Sequence, residues 1–248
     1  MRTSRPFGKI SFGQDRIFWL IIAGLFVVYA VAQGGLVNLG LTLLGLVLAI
    51  TVHECAHAWT ADRLGDPTAR YLGRVSLNPL VHLDPLGSVM MLVTAITGVG
   101  IGWGKPVPVS PHRLKYGSRL GNGLVSLSGP VSNLLLALVL GLILRFMTFL
   151  PGWLFVALFS IATVNIVIAM FNLIPVPPLD GFGVLMGLLS LPRGKWAWNL
   201  SQGLGRLQQM GPMLLIGLLI LTQFLGIPVL GWLIGPPIRF FQQVILGF

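Results

Sequence analysis

The chain has 248 residues, of which 55% are hydrophobic and only 9% charged, and its formal net charge is +10. A soluble domain carries roughly a quarter charged residues, so the composition excludes an ordinary soluble protein and indicates a multi-spanning membrane protein. The basic residues lie in short connections between apolar runs and form no basic face. This pattern is typical of cytoplasmic loops and argues against nucleic acid as a partner.

The first apolar run, Ile17–Ala32, follows a basic tail that contains Arg2, Arg5 and Lys9. Ala30-Val31-Ala32 resembles a signal-peptidase site, but further spans follow at once, which favours an uncleaved first helix. In either case the basic tail predicts that the segment begins on the cytoplasmic side.

Later apolar runs predict further membrane helices in a single integral membrane domain over residues 1–248. The clear spans are Leu36–Thr60, Leu124–Leu150 and Leu154–Leu173, and an interrupted apolar region covers Met213–Ile234. We expect about five to six transmembrane helices, with a core at about 36–185 and a C-terminal membrane segment at about 211–246. Whether this C-terminal segment crosses once or twice stays open.

The apolar stretch Leu86–Ile101 is only about 16 residues long, which is ambiguous between a span and a re-entrant segment. Basic residues lie on both sides of it, including Arg74 and Lys105, so both flanks should be cytoplasmic. The predicted fold is therefore an all-α polytopic membrane protein with a re-entrant segment around 86–110, which could form a β-hairpin.

The only glutamate of the chain lies in His53-Glu54-Cys55-Ala56-His57, an H-E-x-x-H sequence on a predicted helix. At 3.6 residues per turn, His53 and His57 stack on one face, where both imidazoles can bind one metal ion. Glu54 lies beside the first ligand and can act as a general base. Because ionisable clusters at membrane depth are costly, we interpret this one as a functional site.

A catalytic zinc ion usually takes three protein ligands and keeps one position open. Besides Glu54 the acidic residues are Asp15, Asp62, Asp66, Asp84 and Asp180. Asp180 lies in the stretch Phe171–Gly181, after three prolines. Because prolines cannot continue a helix, we expect irregular backbone at Asp180. Such backbone survives at membrane depth only when it is buried or lines a wet cavity.

The topology decides whether Asp180 can reach the histidines. If Leu86–Ile101 re-enters, the spans ending at His57 and near Asp180 both end at the cytoplasmic leaflet. If it crosses, the two motifs lie about 30 Å apart and cannot share one ion. His82 and Asp84 stay open as ordinary loop residues or as hydrogen-bond partners of the metal ligands.

Together these residues resemble the site-2 protease family of intramembrane zinc metalloproteases. The motifs are His53-Glu54-x-x-His57, Leu179-Asp180-Gly181 and Gly129-Pro130-Val131-Ser132-Asn133, with SLNPLVHLDPLGS and GWGKPVPV typical of compact bacterial and archaeal members. The resemblance implies His53, His57 and Asp180 as ligands of one Zn²⁺ and Glu54 as the base. It also implies Asn133 as a group that orients substrate or stabilises an oxyanion.

The expected function is hydrolysis of peptide bonds within or beside transmembrane segments of substrate proteins. The expected partners are such a substrate and the lipid bilayer, and the expected location is the cell membrane, with the N-terminus and the zinc site toward the cytoplasm. Alternatives are a catalytically silent zinc-binding membrane protein and, less favoured, a metal transporter. The substrate, the need for a prior cut and the oligomeric state stay open.

Overall fold

The computed structural model describes Gly24 and residues 35–97, 102–147, 149–192, 194–224 and 229–247. The chain divides into two compact units, 1–40 and 41–248. Apart from Gly24, the predicted first span Ile17–Ala32 lies outside the described residues. The prediction of one domain over the whole chain therefore stays a prediction.

The described residues of the chain are largely helical. The helices are α1 (Leu36–Arg63), α2 (Thr68–Tyr71), α3 (Pro85–Thr97), α4 (Ser118–Phe146), α5 (Gly152–Asn172), α6 (Asp180–Leu188), α7 (Lys195–Gln208), α8 (Gly211–Phe224) and α9 (Val229–Leu246). Short 3₁₀ turns occur at Pro79–Val81 and Pro111–Arg113. Four of these helices, α1, α4, α5 and α9, are long and apolar enough to cross a membrane. The all-α polytopic prediction is confirmed.

The predicted C-terminal membrane segment of about 211–246 contains two helices in the part that the structure describes. Helix α8 ends at Phe224 after 14 residues, and α9 starts at Val229 and continues to Leu246. Gly226 and Pro228, which interrupt the apolar pattern, lie outside the described residues, and α9 continues through Gly231, Pro236 and Pro237. Its last turn is anchored by Ile245 and Leu246, which are buried in the core between α4 and α5.

The chain returns to its starting point after α3, in agreement with a re-entrant segment, while its re-entry into a membrane stays a prediction. Helix α3 has 13 residues, about 20 Å, which is shorter than a hydrocarbon core of about 30 Å. Leu83, before the helix, forms an antiparallel β-bridge with Gly104, after it. The Lys105 N–H donates to the His82 carbonyl at 2.6 Å. The segment therefore begins and ends at the same place.

The β-hairpin that we considered for residues 86–110 differs from the observed backbone. Residues 86–97 are helical, and residues 102–110 form neither a helix nor a named strand, with a single bridge at Gly104 and extended backbone at Ser110. Residues 98–101 lie outside the described residues. We call residues 102–110 the extended segment.

Helices α4 and α6 pack through glycines, which allows their backbones to approach closely. A Cβ on Gly123 of α4 would lie 2.9 Å from Gly187 Cα and 3.1 Å from the Gly183 carbonyl oxygen of α6. These neighbours are backbone atoms, so they cannot rotate out of the way. Since α6 begins with Asp180 and α4 carries Asn133, this contact sets the distance between two parts of the predicted site.

We predict that Gly123→Ala destabilises the protein by roughly 1–3 kcal/mol, because the added methyl overpacks the α4–α6 contact. Gly203→Ala in α7 is the matched control, since nothing lies within 4 Å of its Cβ position. The control should be neutral or stabilising by up to about 1 kcal/mol. Thermal unfolding of both variants in the same detergent measures the difference, and equal stabilities would contradict the packing argument.

Asp66 ties the end of α1 to the extended segment. Its side chain is fully buried and accepts hydrogen bonds from the Ser110 N–H at 2.6 Å and from the N–H and hydroxyl of Thr68. Burial acts to raise the pKa of the Asp66 carboxyl, but these hydrogen bonds outweigh it and hold the pKa below its usual range.

We predict that Asp66→Asn destabilises the protein by roughly 1–3 kcal/mol at neutral pH, because an amide nitrogen would face a donor. The lowered pKa means that the stability due to the carboxylate is present at neutral pH and is lost as the pH falls below about 4. The gap between wild type and variant should therefore shrink in acid. Arg70→Gln, which removes the exposed arginine that pairs with Asp62, is the control. A pH-independent gap between wild type and Asp66→Asn would refute the assignment.

Candidate metal centre

His53 and His57 lie one helical turn apart on α1 and face the same side. Their ring centroids are 4.5 Å apart, with the ring planes at 88° to each other. Both side chains are buried, with residue exposures of 6% for His53 and 8% for His57. The spacing thus brings the two imidazoles together as the sequence predicted.

Asp180 reaches this pair from the connection between α5 and α6. After α5, the prolines hold residues 173–179 in irregular backbone, whereas Asp180 itself is the first residue of helix α6. The expected irregular backbone therefore ends one residue earlier than predicted. The Asp180 Oδ2 lies 2.9 Å from His53 Nε2 and 3.3 Å from His57 Nε2.

Hydrogen bonds at the other ring nitrogens determine the form of both imidazoles. His57 Nδ1 lies 2.7 Å from the Val125 carbonyl oxygen, which can only accept, so this nitrogen donates. His53 Nδ1 lies 2.7 Å from Asn133 Oδ1 and likewise donates. In a neutral imidazole this leaves a lone pair on each Nε2, which is the ligand form of histidine.

The centre therefore brings together three atoms that bear lone pairs. In the neutral imidazoles each Nε2 has no proton to donate, and Asp180 Oδ2 is buried without a hydrogen-bond partner among the described residues. Three converging acceptors repel one another unless a cation lies between them. The ligand atoms all lie within 4.8 Å of one another, and the two nitrogens and one oxygen fit a zinc site with an open position.

Gly129 of α4 lies directly against the histidine rings. A Cβ at this position would lie 2.6 Å from His53 Cε1 and 2.6 Å from His57 Nε2. Only glycine lets α4 approach the ring edges this closely while its Val125 carbonyl receives the proton of His57. This contact gives a physical reason for the glycine that opens the Gly129–Asn133 motif.

Asn133 belongs to a buried chain of amides behind His53. It is fully buried, and its Nδ2 donates to the Ala49 carbonyl at 2.9 Å and to Asn165 Oδ1 at 2.8 Å. Asn165, also fully buried, donates to the Ile161 carbonyl at 2.9 Å. Because the chain ends on carbonyls, the direction of every hydrogen bond is determined, and Asn133 Oδ1 faces His53.

Our sequence reasoning missed Asn165 and the Val125 carbonyl. Asn165 carried a usable signal, since an amide within an apolar span needs a polar partner. The Val125 carbonyl carried none, because a backbone acceptor depends only on how two helices approach each other.

Glu54 lies next to His53 on α1 and is partly exposed. Its Oε1 lies 3.4 Å from the position of a Cβ on Gly104, so the extended segment passes beside it. Arg74 is close enough to attract the Glu54 carboxylate. Glu54 thus faces the extended segment, and the described structure brings it to the same place as the metal ligands.

His82 and Asp84 lie outside the group of ligand atoms. His82 is fully buried, with its Nε2 2.7 Å from the Ser76 carbonyl oxygen, to which it donates. Asp84 Oδ1 accepts from the Gly87 N–H at 2.8 Å and so caps α3. Of the alternatives that the sequence left open, the structure supports loop and capping roles for both residues.

The apolar helices and the His53–His57–Asp180 group define the class of the protein, a membrane protein with a metal site like that of zinc peptidases. "Putative zinc metalloprotease YwhC" of Bacillus subtilis (strain 168) is 40% identical over 153 residues, which are 58% of this chain and 67% of that protein. "Putative zinc metalloprotease Rip2" of Mycolicibacterium smegmatis is 33% identical over 147 residues, 58% of this chain and 56% of the relative.

A "Putative zinc metalloprotease Rip2" of Mycobacterium tuberculosis is 33% identical over 145 residues, 57% of this chain and 54% of that protein. The chain therefore belongs to the site-2 protease family of zinc metalloproteases. The aligned part spans only about half the length of the mycobacterial relatives. No family model matches the chain, and no solved structure matches it.

We predict that Gly129→Ala lowers zinc affinity by at least about tenfold, because its methyl would displace both imidazoles from their partners. Chelator competition on the purified protein measures the affinity. Gly217→Ala in α8, with nothing within 4 Å of its Cβ position, should bind zinc like the wild type. Asp180→Ala is the positive control, and wild-type affinity in Gly129→Ala would contradict the contact.

Proposed function

We propose that this protein is an intramembrane zinc endopeptidase that cleaves peptide bonds within or beside transmembrane segments of other proteins. The observation that carries the proposal is the convergence of His53 Nε2, His57 Nε2 and Asp180 Oδ2 next to Glu54. Membership of the site-2 protease family supports the same reaction class.

Bound zinc supplies a Lewis acid that polarises the scissile carbonyl and makes water more acidic. Glu54 takes the proton of the attacking water and later returns it to the leaving amine, as general acid–base catalysis requires. Its partly exposed carboxylate on the ligand helix suits this role. His53 and His57 keep their Nδ1 protons on Asn133 and Val125, so they act as ligands and do not exchange protons with substrate.

Asn133 acts through His53 in this proposal. Both hydrogens of its amide are already donated to Ala49 and Asn165, and the side chain is fully buried. It therefore has no hydrogen to offer an oxyanion, in contrast to the role implied by the family resemblance. The contacts of Asn133 support a different role, which is to fix the orientation and the tautomer of the His53 ring.

The substrate is proposed to be a transmembrane protein whose helix unwinds near the centre. A helix hides its carbonyls in internal hydrogen bonds, so attack requires a locally extended chain. The extended segment passes beside Glu54 and offers an edge on which such a chain can pair. This arrangement supports cleavage of an unwound segment at the level of Gly104.

The bilayer orientation follows from charge. The connection after α1 carries Arg63, Arg70 and Arg74, and the zinc ligands lie at that end of α1. Basic loops favour the cytoplasmic side, so we propose that the zinc site and the N-terminus face the cytoplasm of the cell membrane.

We predict that Glu54→Gln keeps its zinc and loses cleavage by a factor on the order of 10²–10⁴, because the amide cannot accept the proton. A panel of single-span membrane proteins, incubated with the purified protein and analysed by mass spectrometry, measures cleavage, and metal analysis measures zinc. Asp62→Asn, an acid-to-amide change on the same helix, is the matched control.

A Glu54→Gln variant that cleaves near the wild-type rate would refute the general-base role of Glu54. Loss of zinc together with activity would instead make Glu54 a structural residue. If the wild type cleaves no member of the panel but moves zinc into proteoliposomes, the transporter alternative replaces the protease proposal.

A further inference from the structure

Lys105 of the extended segment is held by its backbone from two sides. Its N–H donates to the His82 carbonyl at 2.6 Å, and its carbonyl accepts from Arg74 Nη2. We call these two contacts the Lys105 clamp. Both partners lie in the loop between α2 and α3, and both are buried, with residue exposures of 4% for Arg74 and 0% for His82.

Arg74 is an unusual residue to bury for a single hydrogen bond. Its Nε is buried without a partner among the described residues. Burial lowers the pKa of Arg74 below its ordinary value, and attraction to Glu54 opposes this effect. A buried guanidinium with an unused donor costs free energy, so its retention at this place calls for a role beyond filling space.

The clamp determines which edge of the extended segment stays free. Both backbone groups of Lys105 point toward Arg74 and His82, and successive residues of an extended chain alternate between edges. Leu83 and Gly104 form the non-hydrogen-bonded pair of the antiparallel bridge, since the adjacent Lys105 N–H bonds to the His82 carbonyl. The N–H and carbonyl of Gly104 therefore point to the opposite edge.

We propose that Arg74 is a positioning residue that, through the Lys105 carbonyl, holds the free edge at Gly104 beside Glu54 for pairing with an unwound substrate segment. This inference rests on the proposed proteolytic function and adds a residue that neither the sequence motif nor the metal centre includes. Gly104 suits the position, because a Cβ there would lie 2.7 Å from Ile50 Cγ2 and 3.1 Å from the His82 carbonyl oxygen.

The first test measures the segment without any substrate. In the zinc-loaded full chain, hydrogen–deuterium exchange of peptides covering 102–110 should become about tenfold faster in Arg74→Gln, while α4 and α5 keep their exchange rates. Zinc content should stay at the wild-type level. Arg70→Gln, an arginine four residues earlier that is exposed and paired with Asp62, is the matched control and should leave exchange unchanged.

The second test measures binding in a Glu54→Gln background, where cleavage cannot interfere. The probe is a synthetic Leu/Ala peptide of about 20 residues with a central Asn-Pro break, long enough to span the bilayer. Arg74→Gln should weaken its binding about tenfold, and in the active protein the KM for the same peptide should rise while kcat changes little.

Unchanged exchange of 102–110 in a folded Arg74→Gln variant overturns the positioning role, whether or not the wild type is a protease. A fall in kcat with a shifted pH profile and unchanged KM also overturns it and assigns Arg74 an electrostatic effect on Glu54. If Arg74→Gln fails to fold, Arg74→Lys carries the same comparison, because it keeps the buried charge and loses the planar fork. Absence of cleavage by the wild type, with faster exchange in the variant, refutes only the proteolytic function.

Discussion

The structure depends on the electrostatics of three atoms that bear lone pairs. When both imidazoles are neutral, their protons lie on Nδ1 and are donated to Asn133 and Val125, so His53 Nε2, His57 Nε2 and Asp180 Oδ2 converge as three acceptors. A bound metal cation compensates these acceptors, and in an apolar surrounding an uncompensated carboxylate would be costly. The hydrogen bonds on the far side of the rings thus orient both Nε2 atoms toward one metal ion.

Two features of the fold allow the three atoms to meet. The backbone of α4 approaches the rings at Gly129 and approaches α6 at Gly123, where any side chain would collide. The chain between Leu83 and Gly104 returns to its starting point, and His53 and His57 near the end of α1 meet Asp180, which follows α5. Had that segment crossed, Asp180 would lie about 30 Å from the histidines.

Much of the site could be predicted from residue types. The helical spacing of His53 and His57 and the scarcity of acids left few candidates for a third ligand, and charge on both flanks of Leu86–Ile101 indicated re-entry. The role of Asn133 and the contribution of Arg74 could not be predicted from the sequence. Both depend on which hydrogen bonds these side chains already form in the folded protein. The continuation of α9 through Pro236 and Pro237 was also not predicted, and the last turn of this helix packs Ile245 against α4 and α5.

The sequence by itself determined the class of molecule and the chemistry of its ligands. Apolar runs with few charges require membrane helices, and two imidazoles one turn apart next to a carboxylate can bind one metal ion. Only the tertiary structure decided the tautomers, the glycine contacts and the clamp on Lys105. These features depend largely on backbone carbonyls and N–H groups, which nearly all residue types carry, so their positions become specific only when distant segments pack together.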